Sequence, residues 1–186
     1  HTYPGATAPY GAVQLSPDTR KGNWDACSGY HYSDSTLMGF SHTHLSGTGC
    51  IDLGDILFRP SLQTPLAFSH SDEKASPGYY SVNLREAGVL AELTTTPHVG
   101  IHRYTYKKGI ESTLVVDMDH LLDNEYIYEG WVKQTGENEL TGMRRTRGWV
   151  DNQYVFFVAQ FSQPFSSMEQ PSERQAVLTF DTTTGK

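Results

Sequence analysis

The densest group of polar side chains lies in the segment 40–50, which reads Phe-Ser-His-Thr-His-Leu-Ser-Gly-Thr-Gly-Cys. If this segment begins in a β-strand, His42 and His44 project to one face, because side chains two residues apart share a face. Two imidazoles so placed could bind zinc, hold a proton or donate to sugar hydroxyls. Zinc would need a third ligand such as Cys50 or Asp52, and no established zinc motif has this spacing. The competing interpretation is that one histidine satisfies backbone groups of its own loop.

A second segment, 24–32, combines aromatic rings with hydrogen-bonding groups in the order Trp-Asp-Ala-Cys-Ser-Gly-Tyr-His-Tyr. Exposed rings beside polar groups suit a pyranose, which offers a flat apolar face and a rim of hydroxyls. Core packing is the usual fate of tryptophan, and we expect it for Trp131 and Trp149 because both lie in patterned strands. Trp24 lies among Gly, Asn and Asp, so we expect it at a binding site.

Paired carboxylates are the third candidate chemistry, because glycosidases use two of them to flank the scissile bond. The closest sets here are Asp52 with Asp55, and Asp117 with Asp119 and Asp123. The second set resembles a calcium loop only faintly, since it lacks the central Gly and the terminal Glu. We expect both sets to be solvated or to cap turns, and no catalytic residue or metal ligand is predicted in this chain.

The elements that must position these residues are β-strands. Alternating patterns predict strands over residues 36–41, 55–59, 78–84, 89–95, 99–106, 112–118, 126–133, 139–149, 153–161 and 176–180. Turn signals such as Ser-Pro-Gly at 76–78 and Asp-Asn at 151–152 separate most of them. No convincing amphipathic helix is present, and residues 121–129 fit neither period well. Short strands at this spacing predict an all-β fold, an antiparallel sandwich or barrel.

The first 55 residues differ from the rest because regular alternation is poor and Gly, Pro, Ser, Thr and aromatic residues are frequent. A long irregular segment inside a compact domain is usually functional or disordered. The aromatic residues give this segment apolar mass to bury, which argues against disorder. It is therefore predicted to form ordered loops that line a site.

Composition limits the class of protein. The 186 residues fit a single domain, and the net charge of −7 with no Lys/Arg-rich run makes nucleic acid and anionic membranes poor partners. No apolar run approaches the roughly 20 residues that span a bilayer. Cys27 and Cys50 could form one disulfide or remain thiols. A chain that opens at His1 without Met is interpreted as a processed or excised piece.

The same loops resemble glycoside hydrolase family 92. The resemblance rests on residues 3–7 (Tyr-Pro-Gly-Ala-Thr), 11–19 (Gly-Ala-Val-Gln-Leu-Ser-Pro-Asp-Thr), 27–32 (Cys-Ser-Gly-Tyr-His-Tyr), 39–50, 52–56 (Asp-Leu-Gly-Asp-Ile) and 145–149 (Arg-Thr-Arg-Gly-Trp). It spans most of the chain, and the block 39–50 is very specific. Members of this family usually extend beyond both ends of this sequence, so the sandwich is expected to be truncated at both ends.

The resemblance implies a function and a partner domain. Family members are inverting, exo-acting α-mannosidases, many of them secreted or periplasmic, that act on α-mannosides such as N-glycan mannose. They pair an N-terminal β-sandwich, similar to the galactose-mutarotase supersandwich, with a C-terminal (α/α)₆ barrel that supplies the general acid, the general base and the Ca²⁺ ligands. Residues 1–186 would then be the N-terminal domain, inactive alone, with a mannose-containing oligosaccharide and its own catalytic domain as partners.

The resemblance also indicates which residues of this chain contact substrate. Trp24 corresponds to an aromatic residue at the leaving-group sugar, and the loop 40–49 lies near that cleft. The substrate-binding residues expected here are Tyr3, Gly5, Trp24, Cys27, His42, His44, Ser46 and Gly47. Two alternatives remain: a non-catalytic carbohydrate-binding domain, and a mutarotase-like epimerase that uses His42 or His44 with a carboxylate.

Overall fold

The computed structural model describes residues 2–123 and 126–181, and these residues form an almost entirely β fold. Sixteen strands occur in them: β1 Ala6–Thr7, β2 Gln14–Asp18, β3 Thr36–Leu37, β4 Gly39–Ser41, β5 Leu57–Arg59, β6 Leu66–Ala67, β7 Glu73–Ser76, β8 Tyr79–Leu84, β9 Val89–Thr95, β10 Gly100–Tyr106, β11 Ser112–Asp117, β12 Tyr126–Gly136, β13 Glu139–Arg147, β14 Gln153–Gln160, β15 Ser167–Ser172 and β16 Gln175–Phe180. The described helices are two single 3₁₀ turns, Trp24–Ala26 and His70–Asp72. The predicted all-β class is confirmed.

A seven-stranded antiparallel sheet, ordered β1-β2-β4-β5-β11-β16-β15, forms one layer. Its register places Phe40 opposite Phe58, and Phe58 opposite Val116. Paired residues share a face of the sheet, so one face carries a continuous apolar row across β4, β5 and β11. This row is the floor of the hydrophobic core.

Two further sheets cover that face. The four-stranded sheet β10-β9-β8-β7 packs over the β1–β4 end, and the three-stranded sheet β12-β13-β14 packs over β5, β11 and β16. The first core cluster centres on Leu15, Phe40, Tyr80, Val82 and Leu93, all fully or almost fully buried. The antiparallel sandwich is therefore confirmed, with a second layer made of two separate sheets.

The predicted strands agree with the observed ones within a few residues, and β9 coincides with its prediction. The predicted strand 36–41 is divided into β3 and β4. Residues 124 and 125 of the ambiguous segment 121–129 lie outside the described residues, and β12 begins at Tyr126.

Five short strands were missed, and two of them, β1 and β2, correct the view of the first 55 residues as loops. Strand β2 contains Pro17, which argues against a strand because proline cannot donate a backbone hydrogen bond. Proline is accommodated because β1 pairs only with Gln14 and Leu15, so Pro17 lies beyond that neighbouring strand.

Candidate functional site

The loop 42–52, which follows β4, carries most of the candidate residues, and His42 anchors its first position. His42 Nδ1 lies 2.6 Å from the carbonyl oxygen of Ile56, so it must donate a hydrogen there. The other nitrogen of His42 lies 3.0 Å from His102 Nε2, and His102 Nδ1 lies 2.8 Å from the hydroxyl of Tyr104. Because a neutral imidazole has one donor and one acceptor, His102 donates to His42, and Tyr104 donates to His102.

Burial favours the neutral form of both imidazoles in this chain of hydrogen bonds. Burial lowers the pKa of His42 from 6.5 to about 4, and burial followed by repulsion from His42 lowers the pKa of His102 well below its usual value. The ring of Phe58 lies 5.1 Å from each imidazole. His42 therefore faces the core layer and not an open cleft.

His44 lies in a second network around a fully buried carboxylate, that of Asp18. His44 Nδ1 lies 2.7 Å from the carbonyl oxygen of Gln14, and its Nε2 lies 2.6 Å from Asp18 Oδ1. His120 Nε2 donates to the other carboxylate oxygen at 2.8 Å. Burial alone would raise the pKa of Asp18, but the charge of His44 and the bonds from both histidines hold it below its usual range. Asp18 is therefore a buried anion that ties the loop to the sheet.

The two histidines do not share a face, so the expectation from alternation is wrong. Strand β4 ends at Ser41, and beyond it the two-residue period no longer applies. All four nitrogens of His42 and His44 have protein partners, and among the described residues no group of three or more His, Cys, Asp or Glu side chains could hold a metal ion. The described residues therefore offer zinc no set of ligands around these two histidines. An epimerase pair is not favoured either, because His44 and Asp18 meet in a site closed to solvent.

A buried ion pair fixes the end of the loop. Arg144, on β13, donates to Asp55 Oδ1 through Nε at 3.0 Å and Nη2 at 2.6 Å. The other carboxylate oxygen of Asp55 accepts from Thr43 Oγ1 at 2.6 Å and from Gln153 Nε2 at 2.7 Å. Arg144 Nη1 also donates to the carbonyl oxygens of two residues that follow β11. Asp55 was expected to be solvated or to cap a turn, and it is instead completely buried in an ion pair.

Asp52 links the loop to the turn between β13 and β14. Its Oδ1 accepts from the backbone N–H of Leu53 at 2.9 Å, and its Oδ2 accepts from the backbone N–H of Trp149 at 2.8 Å. Trp149 is 65% exposed, so its predicted core position is wrong. Trp131 is half-buried outside both core clusters, under the ammonium of Lys133 at 4.9 Å. Aromatic residues in a patterned strand need not face the core when the strand is apolar on both sides.

Trp24 is 62% exposed, as expected of a binding residue. It opens a 3₁₀ turn that is capped by Asn23, whose side chain accepts from the N–H of Asp25 at 2.8 Å. One edge of the indole lies against Gly49, where an added Cβ would be 2.7 Å from Cη2 of the ring. The polypeptide therefore brings Trp24 and the loop together.

The tip of the loop is open to solvent beside Trp24. Ser46 and Gly47 are exposed, and Gly47 has a positive φ of 73°. We call Trp24 and residues 46–49 the loop ledge. Of the eight expected substrate residues, the ledge brings together Trp24, Ser46 and Gly47.

The remaining expected residues lie away from the ledge: Cys27 and His44 are buried, and Tyr3, Gly5 and His42 are half-buried. Cys27 is buried, and neither it nor Cys50 forms a disulfide. Gly5 allows a close contact, because a Cβ there would lie 2.2 Å from the carbonyl oxygen of Leu15. The ring of Tyr3 lies 5.1 Å from that of His44.

A cavity of about 690 Å³ opens next to Tyr3. Glu73 lies in its wall and accepts hydrogen bonds from the hydroxyls of Tyr80 at 2.6 Å and Tyr30 at 3.1 Å. The exposed ring of Tyr32 stacks on His70 with centroids 4.1 Å apart. Among the expected residues only Tyr3 lines this cavity, and Asp25, which follows Trp24 in the chain, also lies in its wall.

The acidic set that faintly resembled a calcium loop has protein partners. Asp117 Oδ1 accepts from the backbone N–H of Asp119 at 2.8 Å and from Gln175 Nε2 at 3.2 Å. Asp119 pairs with Arg174 at 2.6 Å. Asp117 and Asp119 are thus engaged by protein donors, and the described residues include no group of three or more His, Cys, Asp or Glu side chains that would fit calcium.

Sequence spacing could not find Asp18, His120 or Arg144 as parts of the site. Asp18 and His120 are 102 positions apart, and no local pattern connects them. The sequence feature that could have drawn attention to Arg144 is the motif Arg-Thr-Arg at 145–147, which follows it directly.

Comparison with known proteins gives a consistent result. Residues 1–186 match the model of the glycosyl hydrolase family 92 N-terminal domain. A family GH92 α-mannosidase from Bacteroides thetaiotaomicron, solved in complex with mannoimidazole, superposes with a TM-score of 0.88 at 34% identity over 97% of this chain. A family GH92 inverting mannosidase from the same species superposes with a TM-score of 0.80 at 25% identity over 100% of this chain.

These relatives are much longer than this chain, which covers 28% and 27% of the two solved structures. A secreted glycosidase of uncharacterised activity from Arthroderma benhamiae is 28% identical over 145 residues, or 67% of this chain and 18% of that protein. In the described parts of the chain, no helix has the length and apolarity to cross a membrane.

Proposed function

This chain belongs to glycoside hydrolase family 92, as the match of its N-terminal domain to residues 1–186 shows, and we propose that it serves as the substrate-pocket domain of an inverting exo-α-mannosidase. The enzyme would hydrolyse α-mannosides such as the mannose residues of N-glycans. The solved relatives named as α-mannosidases support the substrate class, and a secreted glycosidase among the relatives supports a secreted enzyme.

The observation that carries this proposal is the loop ledge. Trp24 offers an exposed indole beside the glycine-containing tip of the loop, while the buried Asp18 and Asp55 networks hold the loop behind it. A rigid base with an exposed aromatic ring is the arrangement that can stack on a sugar without a large ordering cost. The role of the ledge is to bind and orient the leaving-group side of the oligosaccharide.

Hydrolysis itself is assigned to the second domain of the enzyme. Inversion requires a general acid and a general base roughly 6.5–9.5 Å apart with a water between them. The loop carboxylates of Asp52 and Asp55 are both engaged by protein donors and cannot take these roles. The described residues also do not fit calcium, so the Ca²⁺ expected for the family would be bound outside this chain.

Kinetics of the full-length enzyme on an α-mannobiose test the proposal. Trp24→Ala should lower kcat/KM roughly 5- to 150-fold, which corresponds to a loss of about 1–3 kcal/mol of transition-state stabilisation, by analogy with base–aromatic stacking. Leu62→Ala, at a position of similar exposure (57%) in the turn after β5, is the matched control and should have unchanged kinetics.

Two results would contradict the proposal. One is normal turnover by Trp24→Ala together with a lowered melting temperature, which would make Trp24 a packing residue. The other is a product of retained anomeric configuration, followed by NMR during the reaction, since inversion predicts the opposite anomer.

A further inference from the structure

The cavity of about 690 Å³ beside Tyr3 has a volume in the range that holds a small ligand. We call it the tyrosine cavity, because its wall includes Tyr3, Tyr30, Tyr32 and Tyr80. The wall combines three parts of the chain that are distant in sequence, within residues 2–4, 25–32 and 70–80. Contacts of the fold, and not a single motif, therefore form this concavity.

Glu73 holds the wall of the tyrosine cavity together. Its carboxylate accepts hydrogen bonds from the hydroxyls of Tyr80 at 2.6 Å and Tyr30 at 3.1 Å. His70 Nδ1 donates to the same carboxylate at 2.6 Å, and the side chain of Glu73 is only 10% exposed. Because donors from the loop 24–32, from the 3₁₀ turn and from β8 meet on one carboxylate, the wall has its shape before any ligand arrives.

The wall offers a ligand both hydrogen-bond acceptors and a donor. Burial, followed by the charge of Glu73, raises the pKa of Tyr30, so its hydroxyl stays protonated. Tyr30 gives its one hydrogen to Glu73, and its oxygen lone pairs are left for a ligand. His31 Nδ1 accepts from the backbone N–H of Ser33 at 3.2 Å, which leaves the hydrogen of the neutral ring on Nε2 as a donor.

Tyr32 provides an aromatic platform at the edge of the cavity. One face of its ring stacks on the imidazole of His70, with centroids 4.1 Å apart and planes 14° from parallel. His70 is fixed in turn by Glu73 and by the ring of Phe68, which meets it edge-on at 5.4 Å. Because the Tyr32 side chain is 72% exposed, the opposite face of its ring is open. A ring supported in this way can stack on a ligand with little ordering cost.

The charges of the wall select the class of ligand. Asp25 and Glu73 are acidic, and the described lining residues include no Lys or Arg, so phosphate, sulfate or carboxylate groups would be repelled. An ammonium group would find the Glu73 carboxylate already engaged by three donors. A neutral ring with hydroxyl groups fits better, because it can place an apolar face on Tyr32 and its hydroxyls on the mixed donors and acceptors.

The tyrosine cavity adjoins the loop ledge. Trp24 forms part of the ledge, and the next residue, Asp25, lies in the wall of the cavity. Consecutive Cα atoms are only about 3.8 Å apart. A glycan with one unit on Trp24 could therefore extend into the cavity with its next unit.

We propose that the tyrosine cavity binds a second hexose unit of the glycan, the one that follows the unit stacked on Trp24, with Tyr32 as its platform. This inference rests on the proposed function, which assigns the leaving-group side of the oligosaccharide to the loop ledge. The cavity then makes the enzyme favour substrates that have at least two units beyond the scissile bond.

Kinetics of the full-length enzyme on substrates of two lengths test the site. An α-mannobiose has one unit on the leaving-group side, and a linear α-mannotetraose of the same linkage has three. Tyr32→Ala should lower the initial-rate kcat/KM on the tetraose roughly 5- to 150-fold, by analogy with base–aromatic stacking, and should leave that on the mannobiose unchanged.

Two variants serve as controls. Tyr32→Phe keeps the ring and should retain wild-type values on both substrates, because the stacking face is unchanged. Tyr126→Ala removes a tyrosine that is 62% exposed and also packs against another ring, that of Tyr128 at 5.0 Å. It should change kcat/KM on neither substrate.

Equal losses on both substrates in Tyr32→Ala would overturn the inference, since Tyr32 would then act on the same unit as Trp24 or on the fold. An unchanged kcat/KM on the tetraose would overturn it as well. If the wild-type enzyme released no mannose from either substrate, the proposed function would fail, and calorimetric titration with the tetraose would decide the site. Binding by wild type that is weaker by about fivefold or more in Tyr32→Ala would support the site, and equal binding or none would overturn it.

Discussion

Removing the Asp55 carboxylate should destabilise the domain more than any surface ion-pair change. In Asp55→Ala the guanidinium of Arg144, which is almost fully buried, loses both of its hydrogen bonds to carboxylate oxygen. An uncompensated buried charge costs about 3–5 kcal/mol. For a domain of this size, at about 2–4 °C per kcal/mol, the melting temperature should fall by roughly 6–20 °C.

The double variant Asp55→Ala/Arg144→Met separates stranded charge from lost packing. Replacing a whole buried pair with apolar groups is often neutral or stabilising, so the double variant should melt above Asp55→Ala. The matched control is Arg85→Met, which breaks a two-bonded Arg–Asp pair of similar geometry with Asp72 at the surface. That control should leave the melting temperature unchanged, because exposed pairs contribute little.

The assay is thermal unfolding of the full-length enzyme at neutral pH, followed by circular dichroism at a β-sheet wavelength. The reasoning is refuted if Asp55→Ala melts within a degree or two of wild type. It is equally refuted if the double variant melts below Asp55→Ala, since the penalty would then come from packing and not from an unpaired charge.

Three further predictions follow from the site. Folding lowers the pKa of His42 from 6.5 to about 4 and also lowers that of His102, so the unfolded state binds more protons than the folded state between these pH values. The free energy of unfolding should therefore be highest above about pH 6.5 and should decrease as the pH falls toward 4. A plot of the urea midpoint against pH should have a smaller slope in His42→Gln but an unchanged slope in the exposed-residue control His98→Gln. Gly49→Ala should lower kcat/KM more than Gly78→Ala, because both have a positive φ but only the first places a Cβ 2.7 Å from the Trp24 ring; equal effects would mean that backbone strain alone matters. His44→Ala should lower the melting temperature in addition to any effect on KM, because the His44 ring is buried with three polar partners. An unchanged melting curve would contradict a structural role for His44.

The strands that were predicted most accurately from the sequence have one face exposed to solvent and one face buried. Strand β9 was found at its observed bounds because its alternation is regular. The strands Glu73–Ser76 and Ser167–Ser172 were missed because they are largely exposed and carry almost no apolar residues. A hydrophobic period is only visible where burial is one-sided, so exposed strands are determined by pairing with a neighbour that the local sequence does not reveal.

The candidate site was predicted in part for the same physical reason. Trp24 was recognisable because polar neighbours rarely surround a core tryptophan. The histidines were expected to contact substrate because the loop 40–49 resembles a family block that lies near the substrate cleft. Their partners, Asp18 and His102, are distant in sequence, and only the folded sheets bring them within hydrogen-bond distance. A motif identifies which residues matter, whereas tertiary contacts decide whether they touch a ligand.

The candidate loop has buried residues that hold it against the sandwich and exposed residues at its tip that can contact a ligand. This difference explains why the loop has a specific sequence although its tip is open to solvent. His42, His44 and Asp55 each bond to a different strand or loop of the sandwich. Each lost contact would let the segment relax toward solvent, and the ordering cost of binding would rise. The exposed Gly47 at the tip can then present its backbone groups to a ligand without a side chain in the way. Asp52 extends this support to the turn at Trp149, so any movement of that turn, whether by mutation or by packing of a second domain, is transmitted to the loop through one hydrogen bond of 2.8 Å.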